Sequence, residues 1–169
     1  MDHTIVCFDE CAFRLVPVYK KMWFIAGKKP RGLFWWSNKK LNTFGAYIEG
    51  EKLFYEFHIA QNSLTYLAFL SSFIETLDKD KKYVFVLDNA GWHKTEVIKK
   101  FLAKQTNIKV EYLPTYSPEL NPIETCWKVT RARITNSNCF KTIQALQEKL
   151  ESFWDRHFFT QKISNYLCP

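Results

Sequence analysis

The apolar positions along the chain change period twice, and the changes mark its elements. Thr4 to Phe8 is a short β-branched and apolar run that predicts a strand ending at Asp9-Glu10, or running on through Phe13. Leu41 to Glu49 and Lys52 to Ile59 are extended runs around Gly50-Glu51, the pattern of a two-residue hairpin. From Ser63 to Leu77 the period becomes helical, with Leu67, Leu70, Phe73, Ile74 and Leu77 on one face. Tyr83 to Leu87 is a continuous apolar run, as in a parallel strand buried on both sides, and it stops at Asp88. Val97, Ile98, Phe101 and Leu102 predict a short helix, and Ile108 to Leu113 another strand. A Pro-rich loop over 114–122 precedes helices over 122–135 and 142–157. The order β, β, β, α, β, α, β, α, α predicts an α/β fold. An antiparallel meander leads into parallel strands, giving one mixed five-stranded sheet with helices on both faces.

Composition narrows the function. The chain has 169 residues, 47% hydrophobic and 24% charged, the size and make-up of one globular domain. No apolar run is long enough to span a bilayer and the N-terminus carries no signal pattern, so no membrane partner and a cytoplasmic location are expected. Five cysteines without a C-x-x-C or a zinc-spaced His pair predict buried free thiols. Lys and Arg exceed Asp and Glu by 24 to 17, a net +7, which points to a polyanionic partner. Residues 14–40 hold eight basic residues and no acidic one, with Trp23, Phe24, Phe34, Trp35 and Trp36 interleaved. Arg14, Lys20, Lys21, Lys28, Lys29 and Arg31 suit phosphates there, and Trp35 or Trp36 suits an unpaired base. Lys128, Arg131 and Arg133 form a second acid-free basic run, and Lys94 is a further phosphate candidate. Each also reads as an ordinary solvated or core residue.

Three carboxylates carry the candidate chemistry. Asp88 stands where ligands gather, beyond the carboxyl end of a buried parallel strand. If the first strand neighbours that one, Asp9 lies about one strand spacing, ~5 Å, from Asp88. Side chains alternate along a strand, so Asp9 or Glu10 faces the site, not both; Asp9 is the choice. Glu124 follows after 35 intervening residues. Its local context also reads as a helix start, with Asn121 as N-cap, Pro122 at the first position and Glu124 closing a capping box. Close carboxylates repel, and a shared Mg²⁺ or Mn²⁺ is the natural way to keep them ionised. Asn89 and His93 flank the site, His93 reading equally as a phosphate- or water-orienting group and as a satisfied helix-start residue.

Two blocks carry a family resemblance. Asp88-Asn89-Ala90-Gly91-Trp92-His93-Lys94 and the run from Tyr112 through Pro114, Tyr116-Ser117-Pro118-Glu119-Leu120-Asn121-Pro122 to Glu124 resemble the signatures of DDE transposases. The likeness is to the mariner-like superfamily and its bacterial insertion-sequence relatives. Phe8-Asp9-Glu10 with Phe13-Arg14 is similar to the first block, and Trp23 to Pro30 to a further segment. The resemblance covers about residues 5 to 157. It implies an RNase H-like fold with Asp9, Asp88 and Glu124 as the metal-binding triad and two Mg²⁺ or Mn²⁺ ions during catalysis. It implies hydrolysis at transposon ends, then attack of the freed 3′-hydroxyl on target DNA at TA sites, by a homodimer. It also implies one catalytic domain over 1–169, without the family's helix-turn-helix DNA-recognition region, which is then a separate region or chain. The alternatives are an RNase H-like nuclease that only hydrolyses and a domesticated DNA-binding module without catalysis.

Overall fold

The computed structural model describes residues 3–16, 26–27, 37–136 and 138–167. Five strands form one sheet in the order β3-β2-β1-β4-β5. β1 (Thr4–Arg14) runs antiparallel to β2 (Lys40–Ile48), which runs antiparallel to β3 (Phe54–His58). On its other side β1 runs parallel to β4 (Tyr83–Leu87), and β4 to β5 (Ile108–Tyr112). The meander followed by parallel strands is the mixed sheet expected from the pattern. β1 takes the longer of its two predicted forms and carries both Asp9 and Glu10 within it. The β2–β3 turn needs a left-handed residue, and Gly50 supplies it at φ +80°.

Helices cover both faces. α1 (Ser63–Glu75) and α2 (Glu96–Leu102) pack on the face of Val6, Phe8, Phe44 and Phe85. α1 opens on a capping box: Asn62 accepts from the Leu64 and Thr65 amides, and Thr65 Oγ1 accepts from the Asn62 amide. α3 (Ile123–Thr130) and α4 (Ile143–Trp154) pack on the opposite face with Cys7, Cys11, Phe13 and Val86. Cys7, Cys11 and Cys126 are buried free thiols, as expected.

The predicted helix over 122–135 divides. Its α-helical part ends at Thr130, and Arg131–Thr135 form a π-helical turn closed by Asn136 N–H to the Arg131 carbonyl at 2.8 Å. The last predicted helix stops at Trp154, and the chain returns through α5 (Ser164–Leu167) to brace α3. There Gln161 Nε2 donates to the Pro122 carbonyl and Thr125 shares a hydrogen bond with Tyr166. Most of the basic stretch over 14–40, including Lys20, Lys21, Lys28, Lys29, Arg31, Trp35 and Trp36, lies outside the described residues. No helix among the described residues is long and apolar enough to cross a membrane.

Phe69 is fully buried at the centre of an aromatic cluster, with the Phe44, Phe54, Tyr66 and Phe8 ring centroids 5.5 to 6.3 Å away. Phe69→Ala is expected to cost about 3–5 kcal/mol, read as a lower midpoint in urea unfolding.

Candidate active site

The sheet register brings the first two carboxylates together. Cys7 pairs with Val86 across β1 and β4. Two residues further in the same register, Asp9 stands beside Asp88. Two-residue periodicity keeps Asp9 on the face of Cys7 and Cys11, where α3 packs. Glu124, in the first turn of α3, is thereby carried over the same strand ends. Asp9, Asp88 and Glu124 line one cleft of about 320 Å³, walled by Asn89, Leu113 and the loop from Pro114 to Asn121. Among the described residues no Lys or Arg lines it. Glu10 points to the opposite face, as alternation requires.

Asn121 does not cap α3. Pro122 takes the N-cap position, no side chain caps the helix, and the capping box around Glu124 does not form. Asn121 is instead buried, and its Nδ2 donates to the Phe8 carbonyl at 2.9 Å. The loop forms a 3₁₀ segment over Pro118–Leu120 and leaves it through Asn121 in an extended conformation, with the amide directed back to β1. That bond ties the start of α3 to the residue before Asp9. It also leaves the Glu124 carboxylate free of any capping duty.

Burial pushes the Asp9 carboxyl well above the ordinary range, and the Glu10 and Glu124 carboxylates push the same way. Two hydrogen bonds oppose this, one from the Glu10 backbone amide and one from Trp127 Nε1–H, which donates to Asp9 Oδ2 at 2.9 Å. Gly45 makes the indole contact possible. It pairs with Asp9 across β1 and β2, and a Cβ there would fall 2.5 Å from the indole. The Trp127 ring occupies the vacant side-chain space and is held from behind by Phe13 and Trp154, at 6.1 Å each. Periodicity placed Trp127 only on an apolar helix face. The cross-strand glycine was the one available signal for its second role, and it becomes visible only once the register is known.

Asp88 has a different environment. Its Oδ1 accepts from the Ala90 amide at 2.8 Å and lies 2.6 Å from His93 Nδ1. His93 is fully buried on a 3₁₀ turn (Gly91–Lys94), with Nε2 3.4 Å from Glu10 Oε2; neither contact is aligned along a ring N–H. Burial alone would depress the imidazole, but the two carboxylates outweigh it and lift its pKa to about 9. Burial raises Asp88 in turn, and the His93 and Ala90 contacts more than reverse this, holding the carboxyl below its usual range. His93 thus touches carboxylates on both sides of the sheet.

Asn89 Nδ2 donates to the Leu113 carbonyl, and its Oδ1 accepts from Lys94 Nζ, which also lies 5.0 Å from the Tyr112 ring. Lys128 and Arg133 are exposed, Arg131 half-buried and Arg14 exposed at the end of β1. None of these basic residues lines the carboxylate cleft.

Comparison with known proteins places this geometry. A model of the DDE superfamily endonuclease family matches residues 4–147.

The chain belongs to the DDE superfamily endonucleases.

A curated relative, an insertion element IS630 39 kDa protein of Shigella sonnei, is 24% identical over 155 residues, covering 91% of this chain and 45% of that protein. Among solved structures, this DDE domain resembles the Mos1 strand transfer complex with a TM-score of 0.72 at 20% identity, over 98% of this chain and 50% of the other. It resembles the Mos1 mariner paired end complex with Mn at 0.74 and 18% identity, over 93% of this chain and 49% of the other. The fold is RNase H-like. The DDE domain spans about half the length of these relatives.

The donor set of the DDE cleft is carboxylate oxygen, the ligand class of Mg²⁺ and Mn²⁺. The burial of Asp9 and its repulsion by neighbouring carboxylates, only partly offset by its hydrogen bonds, are the physical sign that a cation fits. Among the described residues the acids are not drawn into a ready coordination shell, one Asp88 oxygen being turned to His93.

Two outcomes follow. Trp127→Phe keeps the ring and removes the donor to a charged acceptor, and is expected to cost about 1.5–3 kcal/mol in chemical unfolding. Asp9→Asn removes the buried, repelled charge while an amide oxygen still accepts from Trp127. In chelator-treated protein at neutral pH it is expected to raise the thermal midpoint; an unchanged or lower midpoint contradicts the repulsion.

Proposed function

We propose that this DDE domain is the catalytic part of a DNA transposase. It hydrolyses a phosphodiester at a transposon end and joins the freed 3′-hydroxyl to target DNA, with TA as the target step. The observation that carries this reading is the cleft itself: acids from β1, from the end of β4 and from the start of α3 face one space that, among the described residues, no basic side chain lines. The Mos1 relatives are named as paired end and strand transfer complexes, one of them with Mn, and they support the same chemistry.

Asp9, Asp88 and Glu124 are the residues that would hold Mg²⁺ or Mn²⁺, two ions during catalysis. Bound there, such ions supply an activated oxygen nucleophile and charge neutralisation at the leaving oxygen. The chain's own residues prepare the site. His93 keeps Asp88 ionised. Trp127 fixes one Asp9 oxygen and leaves the other for a ligand. Asn121 locks the start of α3, and so Glu124, to β1. The Pro-rich wall from Pro114 to Pro118 narrows the approach, and exposed Tyr116 stands at its mouth with φ 58°. Two DNA ends call for two such domains, so the working assembly is a homodimer. Recognition of the end sequence is assigned to a separate DNA-recognition region or chain. Residues 1–169 act as one catalytic domain in the cytoplasm, at the nucleoid.

Asp88→Asn is expected to abolish Mg²⁺- or Mn²⁺-dependent nicking of a duplex, with an unchanged circular dichroism spectrum. Full cleavage by that variant removes the assignment. Joined products from a pre-nicked 3′-hydroxyl end separate a transposase from a nuclease that only hydrolyses.

A further inference from the structure

We propose a phosphate-binding subsite outside the carboxylate cleft, built by Arg14 and Arg131 and placed to hold the backbone of the DNA whose scissile bond lies in that cleft. The proposal rests on the DNA reading above and adds a position and a set of contacts.

β1 and α3 run alongside each other in the same sense. Near one end Trp127 meets Asp9; further along, Arg131 Nη2 lies 2.9 Å from Cys11 Sγ; beyond that the Arg131 guanidinium stands 5.9 Å from the Phe13 ring. The two elements then part around a cavity of about 250 Å³ lined by Arg14, Arg131, Thr135, Asn136 and the Phe13 ring. Arg131 and Thr135 of the π-helical turn, and Asn136 that closes it, supply one side of the lining.

The charge in this cavity is unusual. It has two arginines and no carboxylate among its lining residues. Among the described residues neither arginine has an acidic group within ion-pair distance, although six ion pairs form elsewhere. Arg131 is nonetheless held in place, by a thiol and an aromatic ring. Those contacts orient a guanidinium without neutralising it, and a planar fork with free donors suits a phosphate. Buried Thr135 and half-buried Asn136 add polar side chains to the lining.

The distance suits a continuous nucleic acid. Arg14 is five residues along β1 from Asp9, ~17 Å. Arg131 is seven residues along α3 from Glu124, ~10 Å. One duplex strand carries a phosphate every ~3.4 Å of helix axis, so the subsite sits roughly three to five phosphates from the scissile one.

Salt dependence tests this directly. Binding of the chain to a labelled 20-base-pair duplex of arbitrary sequence is followed by anisotropy from 50 to 200 mM salt, without divalent cation. Arg14→Gln and Arg131→Gln are each expected to flatten the slope of log K against log salt by about 0.9, one released counterion each. Arg131→Lys keeps the charge and is expected to keep the slope. Lys99→Gln, on α2 and paired with Glu96 at 3.6 Å, is expected to change nothing. Arg14 is exposed, so its variant reports even if loss of the Arg131 packing unfolds the chain. Slopes equal to wild type in the Arg14 variant, or an equal flattening by Lys99→Gln, overturn the subsite while leaving the DNA reading intact. A wild-type chain that binds no duplex overturns the DNA reading and the subsite with it.

Discussion

The carboxylate of Asp9 is the constraint around which the rest of the site is arranged. It sits on the central strand of the sheet, between β2 and β4, under α3. In that position it loses most of its water and faces a second acid on α3. A charge in such a place is expensive unless something opposes it. Within the chain the opposition comes from the Glu10 backbone amide and one indole N–H, and the indole reaches Asp9 because the residue opposite has no side chain. The packing of Phe13, Trp127 and Trp154 against that face is therefore part of the site as well as part of the core.

The alternation of a single strand divides the chemistry in two. Asp9 faces the cleft and stays under electrostatic stress. Glu10, the next residue, faces the other side and meets buried His93, which also reaches Asp88. One aspartate of the cleft is thus held ionised by the protein, while the other is left close to like charges. In the proposed role these are two differently prepared ligands for a cation. Asn121 contributes by geometry alone, fixing how far the start of α3 lies from β1.

Much of this was legible in the residue pattern. Five strands, their order along the chain, the two-faced burial and the position of Asp88 beyond a strand end all follow from period and punctuation, whereas the adjacency of β1 and β4 entered only as a condition and Asp9 stands within β1. The signature blocks added Glu124 and the family. The errors were local and have local causes. Asn121-Pro122 before an apolar helix reads as a cap, and the cap was lost to a tertiary bond with β1. The helix over 122–135 reads as continuous, and it loosens into a π turn where Arg131 leans onto Phe13. His93 flanks Asp88 in sequence but gives no hint of Glu10, its other carboxylate partner, because that belongs to a strand 83 residues earlier in the chain.

Periodicity and side-chain chemistry are properties of neighbours along the chain, so they were enough to settle which segments become strands, which faces turn inward and that Asp88 stands beyond a strand end. What surrounds each acid is set by strand register and helix docking, which join residues more than a hundred positions apart, as Trp127 and Asp9 are. An indole donor, a missing Cβ and a buried imidazole act on charge only through distance in space. Those distances exist once the sheet has closed and α3 has come down on it.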